Sequence, residues 1–463
     1  MDGPSEAVPQ PQASATHPRR GLLLLAVASG TVLNPLNSAL IAVALIDIGR
    51  DLRVSFGSVS WLVSSFYLGS AIGQPIMGRL GDLYGRRRLF TAGLVTVGAA
   101  SAVAPLAPTL GWLVGVRIVQ ALGSSALFPA GIGLLRHALH GRETRALGVL
   151  AISSSISASV GPTIGALLVG WQGWRIVFLV NVPIVLVALV LAARALPPDA
   201  ALARPARRGW LELARTLDVR GALAFAAALF CLLWFLLSLV RTPAWWALAA
   251  ALATAPVFVR WELAAPAPFI DLRTLSANRR LPAVYAQFAA VNVVFYSIFF
   301  GIPSYLQAAR HFSVEKTGLI MLVITGIGVL TTPAVARLIE RAGYRPPLLV
   351  GAGFMTAGTL LLLTVGTTTS TPWLVFVLAI IGVSTAFNNL GLQASMYDAA
   401  PREHISAASG LFMTSRYLGT ILSASLLGAV FGRTIDTGRL HAVALVLVGL
   451  AALILVTTMR QRT

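Results

Sequence analysis

Long apolar runs separated by short polar segments dominate the chain after residue 20. Fourteen runs of membrane-spanning length can be counted, in groups of six, two and six. The first six begin near residues 21, 58, 89, 110, 145 and 174; two follow near 219–240 and 243–259, and six more near 281–305, 315–336, 347–367, 373–396, 404–430 and 440–459. Because about 20 apolar residues cross a bilayer as a helix, the pattern predicts an all-α polytopic membrane protein with fourteen spans.

The polar gaps divide this pattern into six segments. We expect a disordered cytoplasmic tail over 1–20, a six-helix bundle over 21–195, a cytoplasmic loop with two inserted spans over 196–260, a cytoplasmic loop over 261–280, a second six-helix bundle over 281–459 and a short tail over 460–463. The first tail is polar and rich in Pro and Ala, which is typical of disorder. It lacks the features of a signal peptide, so we expect the first span to be retained.

Composition and charge support a membrane location. Hydrophobic residues make up 57% of the chain and charged residues 11%, against about 45–50% and about 25% in soluble domains. The formal net charge is +19, but the arginines lie in short loops between apolar runs, which does not suit nucleic-acid binding. With the N-terminus in the cytoplasm, 25 Lys and Arg residues fall on the inner side and 8 on the outer side. The positive-inside rule therefore predicts cytoplasmic termini.

The densest charge cluster is the sequence GRLGDLYGRRRLF at 78–90, in the loop between the second and third predicted spans. Its arginines favour a cytoplasmic location, but the fixed spacing of Gly78, Asp82 and Gly85 needs another reason. The sequence ARLIERAGYR at 336–345 repeats the pattern 258 residues later, with Glu340 in place of Asp82. The same offset carries the first span onto the ninth. The chain therefore looks like two related six-helix halves with a helix pair inserted between them.

These motifs resemble those of a known transporter family. GRLGDLYGRRR resembles the loop signature of the major facilitator superfamily, and RIVQALG at 117–123 resembles its fourth-helix motif. SASVGPTIGA at 157–166 resembles the fifth-helix motif of exporters in that family. WRIVFLVNVP at 174–183 and PFIDLRTLSANRR at 268–280 are similar to the fourteen-span drug:proton antiporter branch.

The resemblance implies a fold and a function. It implies two six-helix bundles that rock about a central site and export small amphipathic compounds, with protons as the coupling ion and membrane lipid as the surroundings. The location would be a bacterial inner membrane, and the state a monomer. It also implies a conformational latch formed by the following residues: Gly78, Asp82, Gly85, Arg86, Arg87, Glu340 and Arg345.

Arg117 is an arginine inside a predicted span, where a charge costs at least about 2.5–3.5 kcal/mol. It must face a wet cavity or a partner, or reach the outer interface. Gln120, three residues later, shares its helix face. By resemblance Arg117 takes part in proton coupling, and the acids Asp82, Asp47 and Asp398 at span ends are the further candidates.

Several polar residues in apolar runs are candidates for lining a substrate cavity, because apolar walls with a few orienting polar groups suit amphipathic ligands. They are Asn34, Asn37, Gln120, Asn292, Phe295, Tyr296, Asn388, Asn389, Gln393 and Arg416. Any one of them could instead join helices. The antiporter branch commonly has an acid where Asn37 stands, and asparagine does not titrate. Proton coupling would then be indirect, absent, or carried by a residue at a span end.

The fifth-helix motif concentrates small residues around a proline. Gly161 and Gly165 are four residues apart and predict close helix packing, while Pro162 removes a backbone donor and can bend the helix. Ser157 begins the motif. The resemblance adds that a sealed contact here disfavours leakage in exporters.

The sequence indicates neither an enzyme nor a cofactor-dependent protein. The six histidines lack metal-ligand spacing, no phosphate-binding loop is present, and the one cysteine excludes an intrachain disulfide. We therefore expect no catalytic residue, metal or cofactor. Two alternatives to drug export stay open: a lipid or dedicated metabolite exporter without a proton carrier at the membrane centre, and a non-transporting sensor or scaffold with the same fold.

Overall fold

A computed structural model gives the fold. It describes residues 18–138, 143–197, 199, 217–238, 242–266, 268–270, 272–273, 278, 280–400, 405–432 and 434–460. The tail predicted as disordered lies outside these residues up to position 17, as do the last three residues and most of the first polar gap. The side chain of Asp82 also lies outside the described set, although its backbone is helical.

Fourteen long helices make up the described part of the chain, which contains no strand. In chain order they are α1 (Pro18–Asp51), α2 (Trp61–Tyr84), α3 (Arg86–Val103), α4 (Leu110–Ala138), α5 (Glu143–Gln172), α6 (Asn181–Ala195), α7 (Val219–Ser238), α8 (Trp245–Ala264), α9 (Arg280–Ala308), α10 (Val314–Ala342), α11 (Arg345–Leu362), α12 (Thr371–Ala399), α13 (Ile405–Phe431) and α14 (Thr437–Arg460). Ten of them are long and apolar enough to cross a membrane. The all-helical membrane fold is confirmed, whereas fourteen crossings stay a prediction.

The helix contacts of α1–α6 recur in α9–α14. In the first group α1 packs on α5, α4 and α6, α4 packs on α2 and α3, and α3 packs on α6. The second group shows the same contacts between the equivalent helices, since α9 packs on α13, α12 and α14, α12 packs on α10 and α11, and α11 packs on α14. We call these groups the first and second bundles.

Glycines related by the 258-residue offset occupy equivalent places. Gly85 ends α2 with φ 99°, and Gly343 ends α10 with φ 75°. Both conformations are left-handed, which glycine adopts without steric cost. A Cβ built at Gly161 of α5 would lie 2.4 Å from Ala39 Cβ of α1, and one at Gly419 of α13 would lie 2.4 Å from the backbone oxygen of Ala289 in α9. The repeat suggested by one loop motif therefore extends to turns and helix crossings.

The two bundles touch mainly through α2 with α13 and through α5 with α10. At the end where α1 ends and α2 begins, Gly57 N donates to Gly432 O at 3.3 Å and Thr163 Oγ1 donates to Gly318 O at 2.9 Å. Gln307 Nε2 donates to Val43 O at 3.0 Å. We call this the closed end.

Burial falls toward the opposite end of the helices, which we call the open end. Six of the seven buried residues of α10 lie between Thr317 and Thr325, and only Val335 is buried beyond them. Leu330 is 79% exposed and Glu340 is exposed. The hydrogen bonds given above between the bundles therefore lie at the closed end, and α10 loses burial toward the open end.

The inserted helices α7 and α8 form a hairpin over the seam between the bundles. They pack on each other, and α7 also contacts α2 and α13. Near the closed end the ring of Trp61 on α2 lies 5.9 Å from Phe230 and 5.8 Å from Trp234, both on α7. Apolar side chains of the hairpin are exposed, with Leu252 at 65% and Val257 at 61%, as expected for a surface facing lipid.

Gly318→Ala is expected to widen the closed end. The added carbon would lie 2.3 Å from Ala166 Cβ and 3.0 Å from the backbone oxygen of Pro162, so α5 and α10 must move apart. Overpacking of this kind typically costs about 1–3 kcal/mol. Spin labels replacing the exposed residues Trp171 and Leu319 report the separation by pulsed electron paramagnetic resonance.

The matched control is Gly326→Ala on the same helix, where no atom lies within 4 Å of the added carbon. It should leave the distance distribution between the two labels unchanged. Equal distributions in Gly318→Ala and the parent protein would contradict the proposed contact.

Candidate functional site

Three tyrosines and one arginine join the two bundles near the middle of the helices. Tyr67 lies on α2, Tyr296 on α9, and Arg416 and Tyr417 on α13. The ring centroid of Tyr67 lies 5.8 Å from that of Tyr296 and 5.7 Å from that of Tyr417. We call these four residues the tyrosine–arginine cluster. Of them, sequence analysis selected Tyr296 and Arg416, which the structure brings together, and missed Tyr67 and Tyr417.

The cluster holds a positive charge in a largely apolar setting. Arg416 is half-buried and donates from Nε at 3.2 Å and from Nη2 at 2.8 Å to the hydroxyl of Tyr296. Tyr67 is 2% exposed and donates to Ser38 Oγ at 2.6 Å. The ion pairs found among the described residues lie elsewhere and do not include Arg416. A phenol hydroxyl is a weaker acceptor for a guanidinium than a carboxylate, so the site can accept a further anionic or phenolic oxygen.

Arg117 forms a separate, enclosed network in the first bundle. Its side chain is 1% exposed, lies 4.0 Å above the ring of Phe66, and donates to Leu62 O at 3.3 Å and to Gln120 Oε1 at 2.9 Å. Gln120 Nε2 in turn donates to Ser101 Oγ at 2.7 Å. The alternative in which Arg117 reaches the outer interface is therefore wrong. The shared helix face of Arg117 and Gln120 is used for a direct hydrogen bond.

Three of the amides predicted to line a cavity are used in helix packing. Asn37 is 3% exposed, and its Oδ1 accepts from Asn181 Nδ2 of α6 at 3.0 Å. Asn292 and Asn388 are also buried and donate to carbonyls of their own helices. Five of the residues predicted to line the cavity are half-buried and keep some exposed surface. They are Asn34, Phe295, Asn389, Gln393 and Arg416.

The fifth-helix motif contacts both bundles. Gly161 and Gly165 face α1, since a Cβ at Gly165 would lie 3.1 Å from Leu40 Cα. Ser157 Oγ of α5 donates to the backbone oxygen of Val32, which also lies on α1, at 3.3 Å. On the opposite side, the backbone oxygen of Pro162 approaches Gly318 of α10. Small residues thus let α5 pack closely on α1 within its bundle and on α10 across the seam.

Asp199 caps the helix that follows the predicted latch loop, and sequence analysis missed this contact. Asp199 accepts from the backbone nitrogens of Arg87 at 2.9 Å and Arg88 at 3.2 Å, at the first turn of α3. An acid at this place satisfies unpaired donors and the helix dipole. Gly85 is required here because a Cβ would lie 2.4 Å from the Asp199 carboxyl carbon. No pattern in the sequence linked Asp199 to this loop, because it lies 112 residues from Arg87.

The remaining latch residues lie at the open end of the helices. Gly78 is near Pro129, and Arg86 donates to Gly133 O of α4 at 3.0 Å. In the second bundle Glu340 is exposed and Arg345 Nη2 donates to Met459 O at 3.3 Å. Whether these residues act as a latch is a proposal, since the side chain of Asp82 lies outside the described set.

The acids predicted as proton carriers lie at helix ends. Asp47 is half-buried near the closed end of α1, 3.7 Å from Arg50, and Asp398 is exposed at the end of α12. Sequence analysis ended the inserted pair at residue 260. The structure continues α8 to Ala264 and thereby buries Glu262 completely inside the hairpin. Within the described chain, no group of three His, Cys, Asp or Glu residues is placed to hold a metal ion.

Comparison with known proteins agrees with this geometry. The sequence profile described as Major Facilitator Superfamily matches residues 27–424. The uncharacterized MFS-type transporter YwoD of Bacillus subtilis (strain 168) is 41% identical over 429 residues, which cover 93% of this chain and 94% of that protein. The tetracenomycin C resistance and export protein of Streptomyces glaucescens is 30% identical over 451 residues, covering 92% and 80%.

A solved structure shares the fold at low sequence identity. The xylose transporter XylE from E. coli, in a partially occluded inward open conformation, superposes with a TM-score of 0.63 and 14% identity. The match covers 96% of this chain and 100% of that one.

Gln120→Leu is expected to destabilise the first bundle. It leaves Arg117 Nη1 and Ser101 Oγ without their described partner in a buried site, which costs about 1–3 kcal/mol per buried group. Thermal unfolding of the detergent-purified protein should show a lower midpoint. Gln393→Leu, at a half-buried amide on α12, is the control and should lower it less; equal losses would count against a structural network around Arg117.

Proposed function

Because the chain belongs to the Major Facilitator Superfamily and is a membrane transporter rather than an enzyme, we propose that it exports small amphipathic compounds by alternating access. The observation that carries this proposal is the pair of bundles, which are hydrogen-bonded at the closed end and lose burial along α10 toward the open end, with the tyrosine–arginine cluster between them. The relative named for tetracenomycin C resistance and export supports the direction of transport.

We place both termini in the cytoplasm of a bacterial cell, with the chain crossing the inner membrane fourteen times as in the drug:proton antiporter branch. The charge count of the loops supports this orientation. Four long helices beyond the ten apolar ones complete the two six-helix bundles. The open end then faces the cytoplasm, and the structure is inward-facing. In this state substrates enter the site from the cell or from the inner leaflet.

The latch residues and the exporter motif act at opposite ends of the cycle in this proposal. At the closed end, Gly161, Pro162 and Gly165 keep α5 close to its neighbours, so the outer seal needs little rearrangement. At the open end, the loop with Gly78, Asp82, Gly85, Arg86 and Arg87, together with Glu340 and Arg345, closes the cytoplasmic side after substrate has bound. The protein works as a monomer, because each chain has both bundles.

The central cluster favours aromatic substrates that carry an anionic or phenolic oxygen. Tyrosine rings offer flat apolar surface, and Arg416 offers hydrogen-bond donors to an oxygen anion. The described middle of the bundle has no carboxylate near Arg416 that would select a cationic drug. The half-buried residues Asn34, Phe295, Asn389 and Gln393 are candidates for further contacts with the same substrate.

The proposal has rivals that transport measurements separate. A lipid or dedicated metabolite exporter would move one compound class only. A sensor or scaffold would show no flux of any tested compound. Proton coupling requires that collapse of the pH gradient across inverted vesicles stops uphill export; export that ignores the gradient would rule out proton antiport.

Arg416→Gln is expected to reduce export of an anionic aromatic probe about 10- to 100-fold in proteoliposomes. A hydrogen bond to a charged group contributes about 1.5–3 kcal/mol, which corresponds to that range. Arg416→Lys should recover part of the activity. Export of a cationic probe such as ethidium should not fall in parallel, because no ion pair with it is lost.

The matched control is Arg194→Gln, which removes an exposed arginine at the end of α6. It should leave export of both probes near the parental value. Equal export of the anionic probe by Arg416→Gln and the parent protein would overturn the assignment of Arg416 to the substrate site.

A further inference from the structure

Two buried carboxyl groups meet at the open end of the inserted hairpin, outside the central site. Asp218 immediately precedes α7 and is 5% exposed, and Glu262 lies in the last turn of α8 and is 0% exposed. A Cβ built at Gly221 would lie 2.2 Å from Glu262 Oε1 and 2.4 Å from Asp218 Oδ2. The two carboxyl oxygens therefore face each other across this glycine. Burying two adjacent negative charges without water is unfavourable.

The hydrogen-bond donors distinguish the two carboxyl groups. Asp218 accepts three N–H groups: Gly221 N at 3.1 Å and Trp261 Nε1 at 2.8 Å on Oδ1, and Phe269 N at 2.8 Å on Oδ2. Such a set of donors stabilises a carboxylate. Both oxygens of Asp218 are therefore occupied as hydrogen-bond acceptors.

Glu262 is bonded through one oxygen only. Its Oε2 accepts from Ile270 N at 2.9 Å, while its Oε1 is buried and accepts from no described donor. The Asp218 carboxylate faces that oxygen across Gly221 and is itself an acceptor. A proton on Glu262 Oε1 would turn this contact into a hydrogen bond and remove the repulsion.

We propose that Glu262 is a proton-binding site of this protein, and that its proton holds the hairpin to the segment 268–270 next to α2. When the proton leaves, two negative charges face each other in the hairpin and the backbone bonds to Phe269 and Ile270 are strained. The same segment is held from the other side, since Arg79 in the loop-proximal turn of α2 donates to Pro268 O. Protonation is thereby linked to the helix that carries the predicted latch.

The charged groups around the pair come from each neighbouring element. Arg79 approaches from α2 and donates to Pro268 O, beside the segment that bonds both carboxyl groups. Arg220 on α7 lies with its Cζ 5.6 Å above the ring of Trp261. Arg273 donates to Leu263 O and Ala265 O where the chain leaves α8. The pair of carboxyl groups therefore has cationic side chains on neighbouring elements, contributed by α2, α7 and the segment after α8.

The role of the proton in transport rests on the proposed function. The binding of a proton by Glu262 does not depend on that function. Asn37 stands where the antiporter branch commonly has an acid. Sequence analysis therefore identified no proton carrier in the centre of the bundles. Glu262 supplies one in the hairpin, over the seam of the two bundles, where α7 contacts α2 and α13. Movement of α2 against α13 would change the contacts of the site.

Infrared difference spectroscopy of the purified protein in lipid, recorded across a pH series, tests the site without any substrate. The parent protein should show the carbonyl stretch of a buried protonated carboxylic acid that disappears as pH rises. Glu262→Gln should lack this band, and it should fold, because a glutamine amide can donate to Asp218 as the protonated acid does. Glu340→Gln removes an exposed glutamate and should keep the band. A band that is unchanged in Glu262→Gln, or absent from the parent protein, would overturn the proposal.

Export measured against pH tests the coupling separately. The parent protein should lose most of its pH dependence when Glu262 is replaced by Gln, while downhill flux of the same probe continues. An infrared band that depends on Glu262 together with unchanged pH dependence of export would refute the link to transport and leave the proton site standing. Absence of export in both proteins, with the band present, would refute the proposed function alone.

Discussion

Ionisable side chains inside this protein must find their partners within the protein, because lipid supplies neither water nor counter-ions. The described helices meet this requirement in three ways. Arg117 is enclosed by Gln120, a carbonyl and the ring of Phe66. Arg416 is bonded to a tyrosine hydroxyl and keeps capacity for a further oxygen. Glu262 faces another carboxyl group and needs a proton. Arg416 and Glu262 leave room for a further oxygen and a proton, respectively, and Arg117 keeps one buried nitrogen, Nη2, without a hydrogen-bond partner among the described residues.

The same constraint explains where the bundles can move. Contacts between them at the closed end use glycine and backbone groups, such as Thr163 to Gly318 and Gly57 to Gly432, rather than ion pairs. Small-residue contacts can separate without stranding a charge in lipid. The charged loops lie at the open end, where water is available when the bundles part. The offset of 258 residues relates α2 to α10 and α5 to α13. The contact of α2 with α13 is therefore equivalent to the contact of α10 with α5.

The sequence was sufficient for the helix count, the repeat and the family, because each depends on local patterns. Apolar runs and loop glycines mark the helices, and Gly85 and Gly343 occupy the turns that their motifs predict. Side-chain partners were less predictable. Asn37 was expected near the cavity but binds Asn181, and Tyr67 carries no sequence signal that it meets Tyr296. Such pairings depend on helix rotation and tilt, which periodicity alone does not determine.

The acids show the same division between local and distant information. Asp199 caps α3 at Arg87, 112 residues away in sequence, and Asp218 faces Glu262, which follows it by 262 − 218 = 44 residues. Glu262 was assigned to a loop because Arg260 and Glu262 interrupt the apolar run. In the structure the helix continues past them, and the buried acid becomes visible only when Asp218 and the segment 268–270 are in place.

The central claim is that access to the middle of the bundle alternates between the two sides of the membrane. A single cysteine replacing Asn389, in a chain with Cys231 changed to Ala, can be labelled with a membrane-impermeant thiol reagent from either side. The account predicts fast labelling from the cytoplasmic side in inverted vesicles and slow labelling from outside intact cells. Gly318→Ala, which opens the closed end, should raise the outside rate and lower the inside rate. Two labelling rates that rise together in Gly318→Ala, or labelling of the parent protein from outside as fast as from inside, would contradict it.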